Sequence, residues 1–364
     1  MPLLVIYRIM IYSLFNKFQG AWLGSVIATA RFKANSQSNS QSNSQPNPWE
    51  QIATIGIQSL IQQGYLDLHQ WQAQIAATNP DLLKLVGTAT ASEAVWATLP
   101  VSLFYHEHYT TTKLLSAINF WLAPDESPHL GLAMGEAIAL LLDQDFHKDF
   151  PQGFNQGFNH NSQPNNPATR PLPAAFQQLL SRTFKISPSF WENLPCLDSA
   201  IKVINSQTPA SQVPLAITCY CILSTPEDFA LAIDRVAITP QPEIAIALTG
   251  FLSGAYNTLR GIPLSWQTQV NSGIINSGII NLGINSGIDS GIDYYQLVDR
   301  LFATWSGVYH HHSPQGNFQY SQDSFPDNSP EAIPETQQWQ IAKSPAKPLI
   351  KIPSKFLSKK RKKS

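Results

Sequence analysis

Four carboxylates carry the chain's best prospects for chemistry: Glu50, Glu93, Asp234 and Glu243. Two carboxyl groups held close together can act as general acid and base on a glycosidic bond, and the same oxygens can hold a hard cation. Glu50 and Glu243 are the candidate catalytic residues and the candidate metal ligands; Glu93 and Asp234 are further carboxylates that could join them. Histidines offer less. His106-Glu107-His108 and His310-His311-His312 cluster imidazoles, which are common metal ligands. Neither group has a cysteine or carboxylate at zinc-motif spacing, so both read as polar surface loops. Cys219 and Cys221 flank Tyr220 inside an apolar run and read as packing groups. With Cys196 they make no disulfide framework, a usage that fits a reducing cytoplasm. The sequence holds no glycine-rich phosphate loop, no Ser/His/Asp arrangement and no zinc-finger spacing.

Helices must position these groups. Apolar residues recur at three- and four-residue steps through 60–71, 130–142, 215–223 and 244–259, the period of one helix face. The stretch Thr225-Pro226-Glu227-Asp228 predicts a helix entrance. Thr225 would cap it, the proline would take the first turn, and the acids would lie at the positive end of the dipole. No series of alternating β-branched segments competes, so the predicted fold class is all-α with many helices.

The order of several segments adds a resemblance. Residues 213–266 contain Val213-Pro214 opening one helix, Pro226 and Phe229 starting the next, the run Gly250-Phe251-Leu252-Ser253-Gly254-Ala255, and Gly261-Ile262-Pro263 followed by Trp266. Upstream, Phe18-Gln19-Gly20-Ala21-Trp22-Leu23-Gly24 spaces small residues four apart, which lets another helix approach closely. Asn47-Pro48-Trp49-Glu50 precedes an apolar helical run, and weaker echoes lie at 93–105 and 125–134. In this order and spacing the chain resembles the ADP-ribosylglycohydrolase family over roughly residues 10–306. The resemblance implies a multi-helix orthogonal bundle with a magnesium site between its helices and hydrolysis of ADP-ribosyl bonds.

The departures fall on the metal ligands. Ala28 and Thr29 align with the family's Gly-Asp pair, residues 47–50 with its Thr/Ser-Asp-Asp-Thr, and Gln241-Pro242-Glu243-Ile244 with its Asp-x-Asp-Thr. Ala123-Pro124-Asp125 stands at its Thr-His-Pro signature. Only Glu243 and Glu50 keep a carboxylate at or beside those positions, whereas a two-metal site needs several oxygen ligands from different helices. The resemblance therefore implies a catalytically degenerate relative that binds or scaffolds through the ancestral cleft, with an ADP-ribose-like ligand as its expected occupant. No cofactor is expected, and magnesium only if the ancestral site is partly retained. The alternative is an active hydrolase of ADP-ribosyl or related glycosidic bonds with a rebuilt, metal-poor site.

Length and composition suit one large domain with additions: 364 residues, 43% of them hydrophobic. Charge is unevenly placed. Nine basic and no acidic residues fall in 341–364, leaving 14 basic against 24 acidic residues, net −10, in 1–340. An acidic body is a poor host for a pyrophosphate unless metals intervene. Residues 10–306 are expected to form the helical domain, interrupted by low-complexity surface loops at 36–47, 153–166 and 271–293. Residues 1–9 precede Met10, where the first helix would naturally begin. Residues 307–364 read as a disordered Pro-rich tail whose basic end, Lys359-Lys360-Arg361-Lys362-Lys363, offers weak, salt-sensitive contact with nucleic acid or an acidic partner. The apolar run 1–14 stops well short of a membrane span, so no membrane partner is expected. Ala28-Thr29-Ala30 imitates a signal-peptidase site but belongs to the first framework helix, and a cytoplasmic location is expected.

Overall fold

Glycines at 20, 24, 250 and 254 decide where two helices touch. Gly20 and Gly24 lie on α1 (Pro2–Gln37); Gly250 and Gly254 lie on α12 (Pro242–Asn257). A methyl at Gly24 would land on the carbonyl oxygen of Gly250. One at Gly250 would land on the carbonyl oxygen of Gly24 and come within 2.8 Å of the Ala28 Cβ. Gly20 and Gly254 repeat this reciprocal contact one turn along, and a methyl at Gly20 would also meet the Thr258 carbonyl carbon at 2.6 Å. Backbone lies against backbone, and these two helices share the largest interface among the described elements. The close helix approach expected from the Gly20/Gly24 spacing is thus present, and its partner carries the same spacing.

The computed structural model describes residues 2–37, 47–108, 112–143, 174–271 and 293–308, all within one compact unit, Met1–His310. Between the two glycine helices run α2 (Pro48–Gln63), α3 (Leu68–Thr78), α4 (Ala91–Phe104), α5 (Thr112–Trp121) and α6 (His129–Leu142). Then come α7 (Ala174–Thr183), α8 (Pro188–Asn193), α9 (Leu197–Gln207), α10 (Val213–Ser224) and α11 (Phe229–Ala237). After α12 follow α13 (Leu264–Asn271) and α14 (Tyr294–Trp305). Among the described residues the β structure is one isolated bridge, Ala89 to Leu122, so the fold class is all-α. No described helix is long and apolar enough to cross a membrane. The tracts within 38–46, 153–166 and 272–292, the histidines at 310–312 and the basic tail lie outside the described residues.

Helix α4 is the axle of the N-terminal half. Every residue except Glu93 is buried, which explains a helix apolar all round. It packs on α2, α5, α6 and α12. Its start is a reciprocal capping box: Glu93 Oε2 accepts from the Thr90 backbone N–H at 2.8 Å, while the Glu93 N–H reaches Thr90 Oγ1 at 3.4 Å.

Several boundaries differ from the sequence reading, each for a local reason. The periodic run 60–71 is two helices, because Gly64 takes a left-handed conformation (φ 72°) that closes α2 on the carbonyl of Leu60. Helix α1 starts at Pro2, ahead of Met10. Thr225 does not open α11: its hydroxyl donates to the Cys221 carbonyl at 2.8 Å and ends α10 instead. The N-cap is Asp228, whose carboxylate accepts from the Leu231 N–H at 2.9 Å.

One polar tie fixes α1 to α6. Lys17 is 7% exposed, and its ammonium donates to the carbonyls of Leu141 (2.8 Å) and Asp143 (3.4 Å). Helix α6 has no basic residue in its own last turn, so a lysine from another helix satisfies its final carbonyls. Burial holds the amine down at about 8, partly countered by the Asp143 charge. The folded pKa lies below the unfolded one, so this group adds stability as pH rises from about 8 towards 10.5, and that increment is absent below pH 8. Between pH 7 and 9.5, the stability of wild type relative to Lys17→Met should rise by on the order of 1–2 kcal/mol, measured by urea unfolding. A difference that stays constant with pH would contradict the assignment.

Candidate functional site

The N-terminal turns of α2 and α12 adjoin. Asn47 caps α2 by accepting from the Trp49 N–H at 3.0 Å, and its amide donates across to Glu243 Oε2 at 3.4 Å. The tetrads 47–50 and 241–244 are therefore neighbours through that bond. In α12 the cap is Gln241, held left-handed at φ 53°, a conformation uncommon outside glycine, and Pro242 takes the first helical position.

The two candidate carboxylates nevertheless have separate fates. Glu50 sits in the first turn of α2, where the helix's positive end favours a carboxylate, and is 3% exposed. Its Oε2 accepts from the Lys33 ammonium at 2.8 Å. Its Oε1 has no hydrogen-bond partner among the described residues, and neither has the Tyr294 hydroxyl at the start of α14. Burial, and then the negative charge of Glu50, keep the Tyr294 phenol protonated well above its ordinary range. Glu243 is exposed, bonded to Asn47.

A two-magnesium centre does not fit these residues. Glu50 is the only buried carboxylate among the described residues, and an ammonium already neutralises it. Ala28 is packed into the α1–α12 crossing, and the Thr29 hydroxyl is spent on the Ser25 carbonyl at 2.8 Å. Among the described residues no three His, Cys, Asp or Glu side chains gather as a metal-binding group.

The remaining candidates are placed apart. Glu93 is used in the α4 capping box. Asp234, 61% exposed at its side chain, faces Arg31 at 4.0 Å. His106 is no surface residue, as the sequence reading had it: it is 7% exposed. Its ring lies 5.0 Å from Trp305 and 5.5 Å from Phe18, and its Nδ1 meets the Leu103 carbonyl at 3.0 Å. The aromatic face it fills outweighs the polar character of its neighbours. Cys219 and Cys221 are buried, as packing groups should be, and burial pushes both thiols up, Cys221 to about 12. Cys196 is exposed, and its contact with Ser199 (3.2 Å) lowers its thiol. An open cleft of about 310 Å³ lies between α8 and α9, lined by Ile186, Phe190, Asn193, Pro195, Val203 and Gln207; none of the four candidate carboxylates touches it.

Sequence reasoning missed Lys33 and Tyr294. A signal for Lys33 existed: it follows Thr29 by four residues and so shares its helix face. Tyr294 carries no such signal, since only folding brings α14 against α2. The sequence matches no protein-family model and no curated protein.

Removing one partner of a buried ion pair strands the other charge, whereas replacing both by apolar groups often costs little. Lys33→Met should destabilise by on the order of 3 kcal/mol, and Lys33→Met/Glu50→Met should recover most of that loss in denaturant titrations. A single variant as stable as wild type would mean the pair does not hold the site.

Proposed function

We propose that this chain is a non-catalytic helical protein, related in framework to the ADP-ribosylglycohydrolases, that binds or scaffolds rather than cleaves. The observation that carries the reading is the Lys33–Glu50 ion pair. Hydrolysis by that family's chemistry depends on metals to orient the ribose and prepare water. Here the buried carboxylate beside the aligned motifs is occupied by the chain's own ammonium. Glu243, the other candidate, is exposed and hydrogen-bonded to a neutral amide. Two carboxylates so differently engaged are poorly arranged to share one substrate as acid and base.

Loss of a single principal electrostatic contributor commonly costs 10² to 10³ in rate. Full-length protein incubated with an ADP-ribosylated peptide and millimolar magnesium should release ADP-ribose no faster than a protein-free control. Release above that control, abolished by Glu50→Gln or Glu243→Ala, would make the protein a hydrolase with a rebuilt site.

A further inference from the structure

Glu50 Oε1 and the Tyr294 hydroxyl are two polar atoms buried where each needs a partner. Glu50 and Tyr294 are each 3% exposed, and neither of these atoms has a hydrogen-bond partner among the described residues. Of the buried side-chain atoms left in this condition, Glu50 Oε1 is the one that belongs to a carboxylate. A charged oxygen left bare inside a protein is among the costlier defects of a fold, because nothing offsets its desolvation. Lys33 answers only the other oxygen, Oε2, at 2.8 Å.

The two atoms share a neighbourhood. Glu50 lies in the first turn of α2 and Tyr294 is the first residue of α14, and these helices pack on each other. The negative charge of Glu50 reaches the Tyr294 phenol and helps to hold its proton. A protonated phenol can donate and a carboxylate can only accept, so the pair is complementary. No direct bond joins them, however. The α14 cap is engaged elsewhere: Asp293 Oδ1 accepts from the N–H groups of Tyr295 and Gln296 at 2.9 and 3.2 Å.

We infer that Glu50 Oε1 and Tyr294 share a binding site for one internal water, which accepts from the phenol and donates to the carboxylate. Donor count and charge select this occupant. The bridging group must accept a proton from one side and offer one to the other, which a hydroxyl does and a bare metal cation does not. Lys33 already balances Glu50, so a cation would set a second positive charge near an ammonium with no anion to match it. Both side chains are closed to solvent, which favours the smallest hydroxyl, water, over an alcohol or sugar. Internal waters characteristically bridge buried polar groups of this kind. The chain Lys33–Glu50–water–Tyr294 then ties α1, α2 and α14 together and commits both Glu50 oxygens. The inference goes beyond the non-catalytic reading and does not depend on it, since it concerns the fold's own polar atoms whether or not the protein turns over a substrate.

The test is a high-resolution crystal structure of the full-length protein, joined to thermal melts. A single density peak should stand at hydrogen-bond distance, roughly 2.5–3.0 Å, from both Glu50 Oε1 and the Tyr294 hydroxyl. Tyr294→Phe should lower the melting temperature by about 2–4 °C, and by less than half as much in the Lys33→Met/Glu50→Met background, where the carboxylate is gone. A Tyr294 hydroxyl bonded directly to Oε1, or no peak between them, would overturn the inference. So would a peak ringed by oxygens at about 2.1 Å, which would make the occupant a magnesium ion. In solution, a Tyr294→Phe shift of zero, or one equal in both backgrounds, would overturn it independently of the crystal.

Discussion

The whole arrangement depends on two helices meeting backbone to backbone. At Gly20, Gly24, Gly250 and Gly254 a single added methyl would strike a carbonyl oxygen of the opposite helix. Glycine weakens a helix by roughly 0.5–1 kcal/mol relative to alanine, so four of them at one crossing are a local loss that close packing must offset. The gain is dispersion contact over a long shared surface and burial of the flanking Phe18, Trp22, Phe251 and Leu252, all nearly inaccessible to water. Strain collects at the far end of α12, where Thr258 holds φ 60° and ψ 177°, a conformation rarely adopted by a β-branched residue. That turn lies directly on Gly20.

Once α1 is fixed against α12, its polar side chains are committed in several directions. Lys17 ends α6, Gln19 donates to Asp299 of α14 at 2.8 Å, Arg31 stacks on α13, and Lys33 neutralises Glu50 of α2. The candidate site is a by-product of this geometry. Glu50 tolerates burial because the end of α1 delivers an ammonium to it. The same delivery removes the carboxylate from any chemistry requiring a free oxygen pair, while Oε1 and the Tyr294 hydroxyl stay without described partners.

What could be read from the residues was what depends on near neighbours. The all-α class followed from three- and four-residue periodicity, and the close helix contact from the Gly20/Gly24 spacing. The identity of the contacting helix did not, since Gly250 is separated from Gly24 by most of the chain. Local competition defeated other readings: Thr225 was equally suited to end one helix or begin the next, and Gly64 divided a run whose apolar pattern continued across it. His106 was misread because its burial comes from Phe18 and Trp305, on helices far apart in sequence. The Lys33–Glu50 pair spans 17 residues and two helices, so charge pattern alone could not reveal it.

The central claim is that Gly24 and Gly250 are one contact rather than two independent helix positions. A double-mutant cycle measures this directly, with stability taken from denaturant unfolding of wild type, Gly24→Ala, Gly250→Ala and the pair. Each single methyl should cost about 3 kcal/mol by forcing the helices apart. The pair should cost much less than the sum, because one displacement makes room for both methyls. Strictly additive losses, or single variants as stable as wild type, would contradict the account and place the organising contact elsewhere.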